Sequence, residues 1–243
     1  MWQRPRHYHF DWKLTLLYLL LLPLLLRLGF WQLAREQEKL ALLAVYESRQ
    51  QQAPAPLETL NPADDLQYRQ VRLSGAPDNA HLFLLDNRLY QGRAGYEVLQ
   101  ALRADDGLLV FINRGWVSQG ATRADLPEIA PLPARLQVQG SIYVPVGEPV
   151  LLSDELMSAG WPKVIEALQL EEMQRVAELD GTLFPYTLRL AEGAEGALIR
   201  AWPLINLSPA MHRGYAVQWF AMALALSLLY LYYSTRPQDG ADA

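Results

Sequence analysis

Two long apolar runs, one towards each end of the chain, constrain the fold more than any other feature. The first is Leu14 to Leu26, extended after Arg27 by Leu28, Gly29, Phe30 and Trp31. Trp12 and Trp31 bracket it, and the nineteen steps of 1.5 Å from one to the other span roughly 28 Å, about one hydrocarbon core. No small-residue cleavage site follows. Gln32-Leu33-Ala34-Arg35-Glu36 continues a helical pattern instead, so the segment reads as a retained span rather than a signal peptide. The second run, Tyr215 to Tyr233, has Gln218 and Ser227 as its only strongly polar side chains, with aromatic residues towards both ends like interfacial belts. These runs predict transmembrane helices over residues 14–34 and 214–233. The competing reading of the second run is a buried helix in a soluble core.

Two spans place both tails on one side of the bilayer. Residues 1–13 carry Arg4, Arg6 and Lys13 against Asp11, so the positive-inside rule assigns them to the cytoplasm. Residues 234–243 follow them there, and the domain between the spans lies outside. The N-terminal tail lacks the Arg- and Ser-rich amphipathic character of a mitochondrial transit peptide, which favours a bacterial inner membrane and a periplasmic domain. Membrane lipid is accordingly an expected partner.

Away from the two runs the chain reads like a water-soluble domain. Residues 35–62 continue the helix and then break it with Pro54, Pro56 and Pro62, a linker into a domain over 63–213. Strand patterns cover Tyr68–Leu73, His81–Leu85, Tyr96–Arg103, Leu108–Ile112, Leu136–Val144, Thr187–Leu190 and Ala197–Leu207, with a helix over Glu171–Leu179. Trp161-Pro162 reads as the start of a helix. His81, in an apolar strand, reads as structural. The expected fold is thus an α+β membrane protein: two transmembrane helices flanking a β-rich, barrel-like antiparallel domain.

Composition removes several functions. A net charge of −5 with no basic patch argues against nucleic acid as a partner. The absence of cysteine excludes disulfides, thiolate metal sites and covalent C-x-x-C-H haem attachment. With four histidines, two of them in the N-terminal tail, a multi-histidine metal site is not expected, and no nucleophile–base pair supports an enzyme.

Six stretches in order carry a family resemblance. They are Leu28-Gly29-Phe30-Trp31-Gln32-Leu33-Ala34-Arg35; Asp86-Asn87-Arg88 with Gly95-Tyr96-Glu97-Val98; Asp106-Gly107 leading to Asn113-Arg114-Gly115-Trp116-Val117; Gly160-Trp161-Pro162-Lys163-Val164-Ile165; Phe184-Pro185-Tyr186-Thr187-Leu188-Arg189-Leu190; and His212-Arg213-Gly214-Tyr215-Ala216-Val217-Gln218-Trp219-Phe220. Together they resemble the Surfeit locus protein 1 family, assembly factors for haem-copper terminal oxidases. The chain departs from the family pattern at Met211, Arg213 and Ser118. The resemblance implies a role in cytochrome c oxidase maturation that handles haem a. Its implied partners are the largest oxidase subunit and the haem a synthase. A scaffold that holds an assembly intermediate without touching haem is the competing function.

The residues themselves leave alternatives open. His212 offers an imidazole nitrogen to haem iron and shares a helical face with Tyr215, Ala216, Trp219, Ala223 and Leu226; the alternative is an interfacial histidine packed among belt aromatics. Arg27, Trp31 and Arg35 are spaced by four on one face, where Arg27 either meets haem propionates or snorkels to the interface. Asn87-Arg88 and Asn113-Arg114-Gly115-Trp116 follow apolar strands. They are either turn chemistry or an exposed Arg/Trp patch for a partner protein.

Overall fold

The computed structural model describes residues 11–122, 125–145, 160–202, 204 and 207–236. Three helices, α1 (Trp12–Gln50), α2 (Leu170–Val176) and α3 (Pro209–Thr235), accompany seven strands among the described residues. The strands are β1 (Ala55–Pro56), β2 (Gln70–Tyr90), β3 (Arg93–Ala104), β4 (Leu109–Ser118), β5 (Leu136–Tyr143), β6 (Lys163–Ile165) and β7 (Thr187–Leu190). The chain divides into two compact units. One is Tyr46–Trp202; the other joins residues up to Val45 with those from Pro203 onward.

In the helical unit, Asp11 caps α1: its Oδ1 accepts from the backbone N–H of Lys13 at 2.9 Å and Leu14 at 3.3 Å. The expected span and the helical part of the following segment are one continuous helix of 39 residues that runs through Pro23. Pro209 at the first turn of α3 fits there because that turn has no use for its missing N–H. The two helices pack antiparallel, as their contacts show. Tyr18 stacks on Tyr230 at 4.3 Å, Thr15 Oγ1 lies 3.0 Å from Tyr230 OH, and Phe30 meets Phe220 edge-on at 5.2 Å. Gly29 permits this approach, since a Cβ there would sit 2.6 Å from Phe220 Cε1. The buried positions are Gly29 and Glu36 on α1 and His212, Ala216 and Ala223 on α3. Leu16, Leu20, Leu24, Leu224, Leu228 and Leu231 are exposed. A soluble core helix would bury such leucines, whereas hydrocarbon would cover them, and both helices are long and apolar enough to cross a membrane.

In the other unit the pairings run β2–β3–β4–β7–β5 and return to β2, so the ladder closes in a barrel-like ring. The sequence suggests two strands before Tyr90, but β2 is one strand of 21 residues. Register shifts at Pro77/Leu82 and Leu85/Arg88 let it bend, so its first part pairs with β5 while its length pairs with β3. The expected all-antiparallel arrangement is corrected to a mixed one. β1–β2, β2–β6 and β4–β7 are parallel, because the chain crosses over before β6 and β7 join the sheet. Trp161-Pro162 leads into β6, not into a helix, and α2 is shorter than expected. Residues 197–202 form no strand; only a bridge from Trp116 to Ile199 joins them to β4. The remainder of the expected last strand includes 203, 205 and 206, which lie outside the described residues.

One core fills the ring, with Val71, Leu102, Ile112, Val138, Ile142 and Leu188 fully buried. A second lies beneath α2, where Met173 and Ala177 meet Phe83, Leu99 and Phe111. Gly140 lets β5 and β7 close, because a Cβ there would lie 2.3 Å from the Arg189 carbonyl oxygen.

Candidate functional site

In the helical unit the central group is His212, buried one turn inside α3. Its Nδ1 lies 2.8 Å from Gln32 Oε1 on α1. The contacting atom is a carboxamide oxygen, so Nδ1 donates, which in a neutral ring leaves the lone pair on Nε2. Nε2 is itself enclosed and has no hydrogen-bond partner. Glu36, also buried, approaches Arg213 at 3.8 Å one turn further along α1. Gly29, Gln32 and Glu36 therefore form the face of α1 that meets α3.

The expected companions of His212 separate. Ala216 and Ala223 are buried on its face, Trp219 is half-buried and Tyr215 is exposed. Arg27 and Trp31 point away on the exposed face of α1, where the Arg35 guanidinium lies 5.8 Å from the Trp31 ring and pairs with Glu38. The structure does not bring Arg27 or Trp31 to the imidazole. Gln32 takes that place, a residue to which the sequence assigned no role. Its signal is spacing: Gly29, Gln32 and Glu36 share one helical face, opposite Arg27, Trp31 and Arg35.

In the β unit the two Asn-Arg motifs are bulges. Asn87 has φ 58°, the left-handed backbone expected of it, but within β2 at the Leu85/Arg88 shift rather than at a strand end. Arg114 is the extra residue of β4 between Asn113, opposite Leu99, and Gly115, opposite Val98. The motifs meet through buried Glu97. Asn113 Nδ2 donates to Glu97 Oε2 at 2.5 Å, Arg88 Nε lies 3.7 Å from Glu97 Oε1, and Trp116 Nε1 donates to the Arg88 carbonyl at 2.9 Å. Asn113, Arg114 and Trp116 are buried. The exposed Arg/Trp patch expected of these residues is therefore replaced by an internal network, with Asn87 exposed and Arg88 half-exposed at its edge.

Arg114 ties distant segments together. Its Nε donates to the Gly196 carbonyl at 2.8 Å, and its Nη1 donates to Gln100 Oε1 at 3.1 Å and to the Ala130 carbonyl at 3.0 Å. Burial pulls its pKa below the usual arginine value, yet the group stays charged. His81 is structural, as expected: its Nδ1 lies 2.6 Å from Asp78 Oδ2 and its ring meets Trp161 edge-on. Among the described residues no group of three or more His, Asp or Glu side chains could hold a metal ion.

The SURF1 family model matches residues 19–224, which include most of α1, all seven strands and the first part of α3. The chain belongs to the SURF1 family. A SURF1-like protein of Rickettsia felis is 28% identical over 235 residues, covering 91% of this chain and 96% of that one. A second, from Rickettsia conorii, is 28% identical over 239 residues, with 92% of each chain covered. The cytochrome oxidase assembly protein SHY1 of Saccharomyces cerevisiae is 30% identical over 125 residues, which cover 49% of this chain and 32% of the yeast protein.

Proposed function

We propose that this SURF1-family chain is an assembly factor for a haem-copper terminal oxidase, acting on haem a for the largest oxidase subunit and working beside the haem a synthase. Family membership and the name of the yeast relative support the oxidase assignment. The observation that carries the haem assignment is the buried His212 with its Nδ1 engaged by Gln32 and its Nε2 free of any partner. A buried polar atom with no partner calls for an explanation, and a neutral imidazole could hold haem iron through such a nitrogen.

His212 fits that role, and Gln32 acts as the outer-shell group that fixes its tautomer. The small Ala216, one turn from His212, and Ala223, two turns further on, are buried where α3 packs on α1 and let that helix come close. Nε2 is enclosed, so the side chains around it would have to give way for His212 to hold iron. Bound haem a would supply the iron and the redox chemistry of the oxidase; the chain's own residues hold and orient it. The proposed role is that of a chaperone and not an enzyme.

Deleting the gene should lower haem-copper oxidase activity and its haem a content severalfold while sparing respiratory oxidases of unrelated type. Unchanged haem-copper oxidase activity, with the oxidase expressed and no second copy of the gene, would remove the reading. Retention of haem a in an oxidase that is nonetheless scarce would favour the scaffold function instead.

The proposed setting is a bacterial inner membrane, with both tails cytoplasmic and Tyr46–Trp202 in the periplasm, supported by the basic N-terminal tail. A reporter active only in the periplasm should work when inserted near Asn61 and fail after Arg236. The reverse pattern would invert the topology.

A further inference from the structure

Arg189 of β7 is placed unlike any other cation described. Its guanidinium carbon lies 3.7 Å from the centre of the Tyr143 ring and 5.1 Å from that of Trp202, and its Nε is enclosed without a hydrogen-bond partner. Trp202 Nε1 is enclosed without an acceptor as well. Burial pulls the Arg189 pKa down, while the nearby Glu97 carboxylate pushes it up. Glu97 is already engaged by Asn113 and faces Arg88, whose Nε is a third enclosed donor without a hydrogen bond. Arg88 and Arg189 thus both feel the one Glu97 carboxylate, which offsets a single charge of the two. Beside it, Trp202 also borders a cleft of about 450 Å³ lined by Tyr90, Glu192 and Arg200.

We propose that Arg189, with Trp202 and Tyr143, forms a receiving site for a single carboxylate group carried by another molecule. An arriving monoanion would balance the excess charge and supply an acceptor that the enclosed N–H groups lack. Two aromatic rings lie against the guanidinium, so hydrogen bonds are left to its edge, where Nε is enclosed and still lacks an acceptor. A carboxylate is flat and lies in the plane of that edge, making two parallel hydrogen bonds. A phosphodiester is also a monoanion, but its ester oxygens stand above and below that plane, towards Tyr143 and Trp202. The inference stands whether or not His212 meets haem, since it uses none of the helical unit's residues.

The test titrates the full chain in detergent micelles, labelled with ¹⁵N-arginine, with sodium acetate, sodium dimethyl phosphate or sodium chloride at matched ionic strength. Acetate should shift the Arg189 Nε–H resonance, identified by its loss in Arg189→Lys, along a saturable curve, and chloride should not. Trp202→Phe keeps a ring over the guanidinium but removes the Nε1 donor, and should weaken acetate binding about tenfold. Absence of a saturable acetate shift in the unmodified protein overturns the proposal whether or not the variants fold. Dimethyl phosphate binding as tightly as acetate, or acetate binding unaltered in Trp202→Phe, overturns the carboxylate site as drawn.

Discussion

Arg114→Met should destabilise the Tyr46–Trp202 unit by about 3–5 kcal/mol. The substitution keeps the length and apolar stem of the side chain but removes every donor. Three acceptors then lose their partner: the Gly196 and Ala130 carbonyls and Gln100 Oε1. Each buried acceptor left short costs about 1–3 kcal/mol, and the losses overlap because the three share one side chain. The damage should spread, since these bonds hold the segments around Ala130 and Gly196 against β4. Arg135 supplies the contrast, with its guanidinium 2.6 Å from Asp105 and both side chains largely exposed. Arg135→Met should cost under about 1 kcal/mol. Denaturant unfolding of the full chain in detergent, followed by tryptophan fluorescence, measures both, and equal midpoints for the two variants would contradict the account of Arg114.

The burial of Arg114 also marks where sequence reasoning ended. An Asn-Arg-Gly-Trp run after an apolar strand looks the same whether it ends the strand or bulges within it. The choice depends on the partner strand, here on Gly115 opposing Val98 while Asn113 opposes Leu99. The same blindness split β2 in two. Ser74-Gly75-Ala76-Pro77-Asp78-Asn79 has the composition of a loop, but irregular pairing with β3 carries it through as strand. Parallel pairing of β4 with β7 joins residues more than seventy positions apart, which no local pattern encodes. The two apolar helices are legible because each carries an apolar run long enough to cross a hydrocarbon core. Between α1 and α3, the sequence singles out His212 but not Gln32, because a lone glutamine at the end of an apolar run reads as interface. Its meaning comes only from the helix packed against it.

That packing yields the second large effect. Gln32→Leu removes the acceptor that holds His212 Nδ1 at 2.8 Å and leaves both ring nitrogens unpartnered on a buried face. Losing such an outer-shell partner typically costs 10–100-fold in affinity for a liganded metal, so haem a recovered with the protein should fall about tenfold or more. Gln32→Glu keeps an oxygen acceptor on the same frame and should restore much of the loss. Arg27→Gln, on the exposed face of α1, should leave the iron's ligand field unchanged. A Gln32→Leu protein that retains haem a at the wild-type level would show that the tautomer is not held from α1.

The most direct measurement is the absorption spectrum of the protein purified from cells that also produce haem a, compared between wild type and His212→Ala. A directional imidazole–iron bond sets the spectrum and contributes to how much haem is kept, whereas apolar packing contributes to the amount alone. The account predicts that wild type carries haem a with a nitrogen-ligated spectrum and that His212→Ala shifts that spectrum and keeps no more haem a than Gln32→Leu. An identical spectrum in His212→Ala, or no haem a with the wild-type protein, would contradict it.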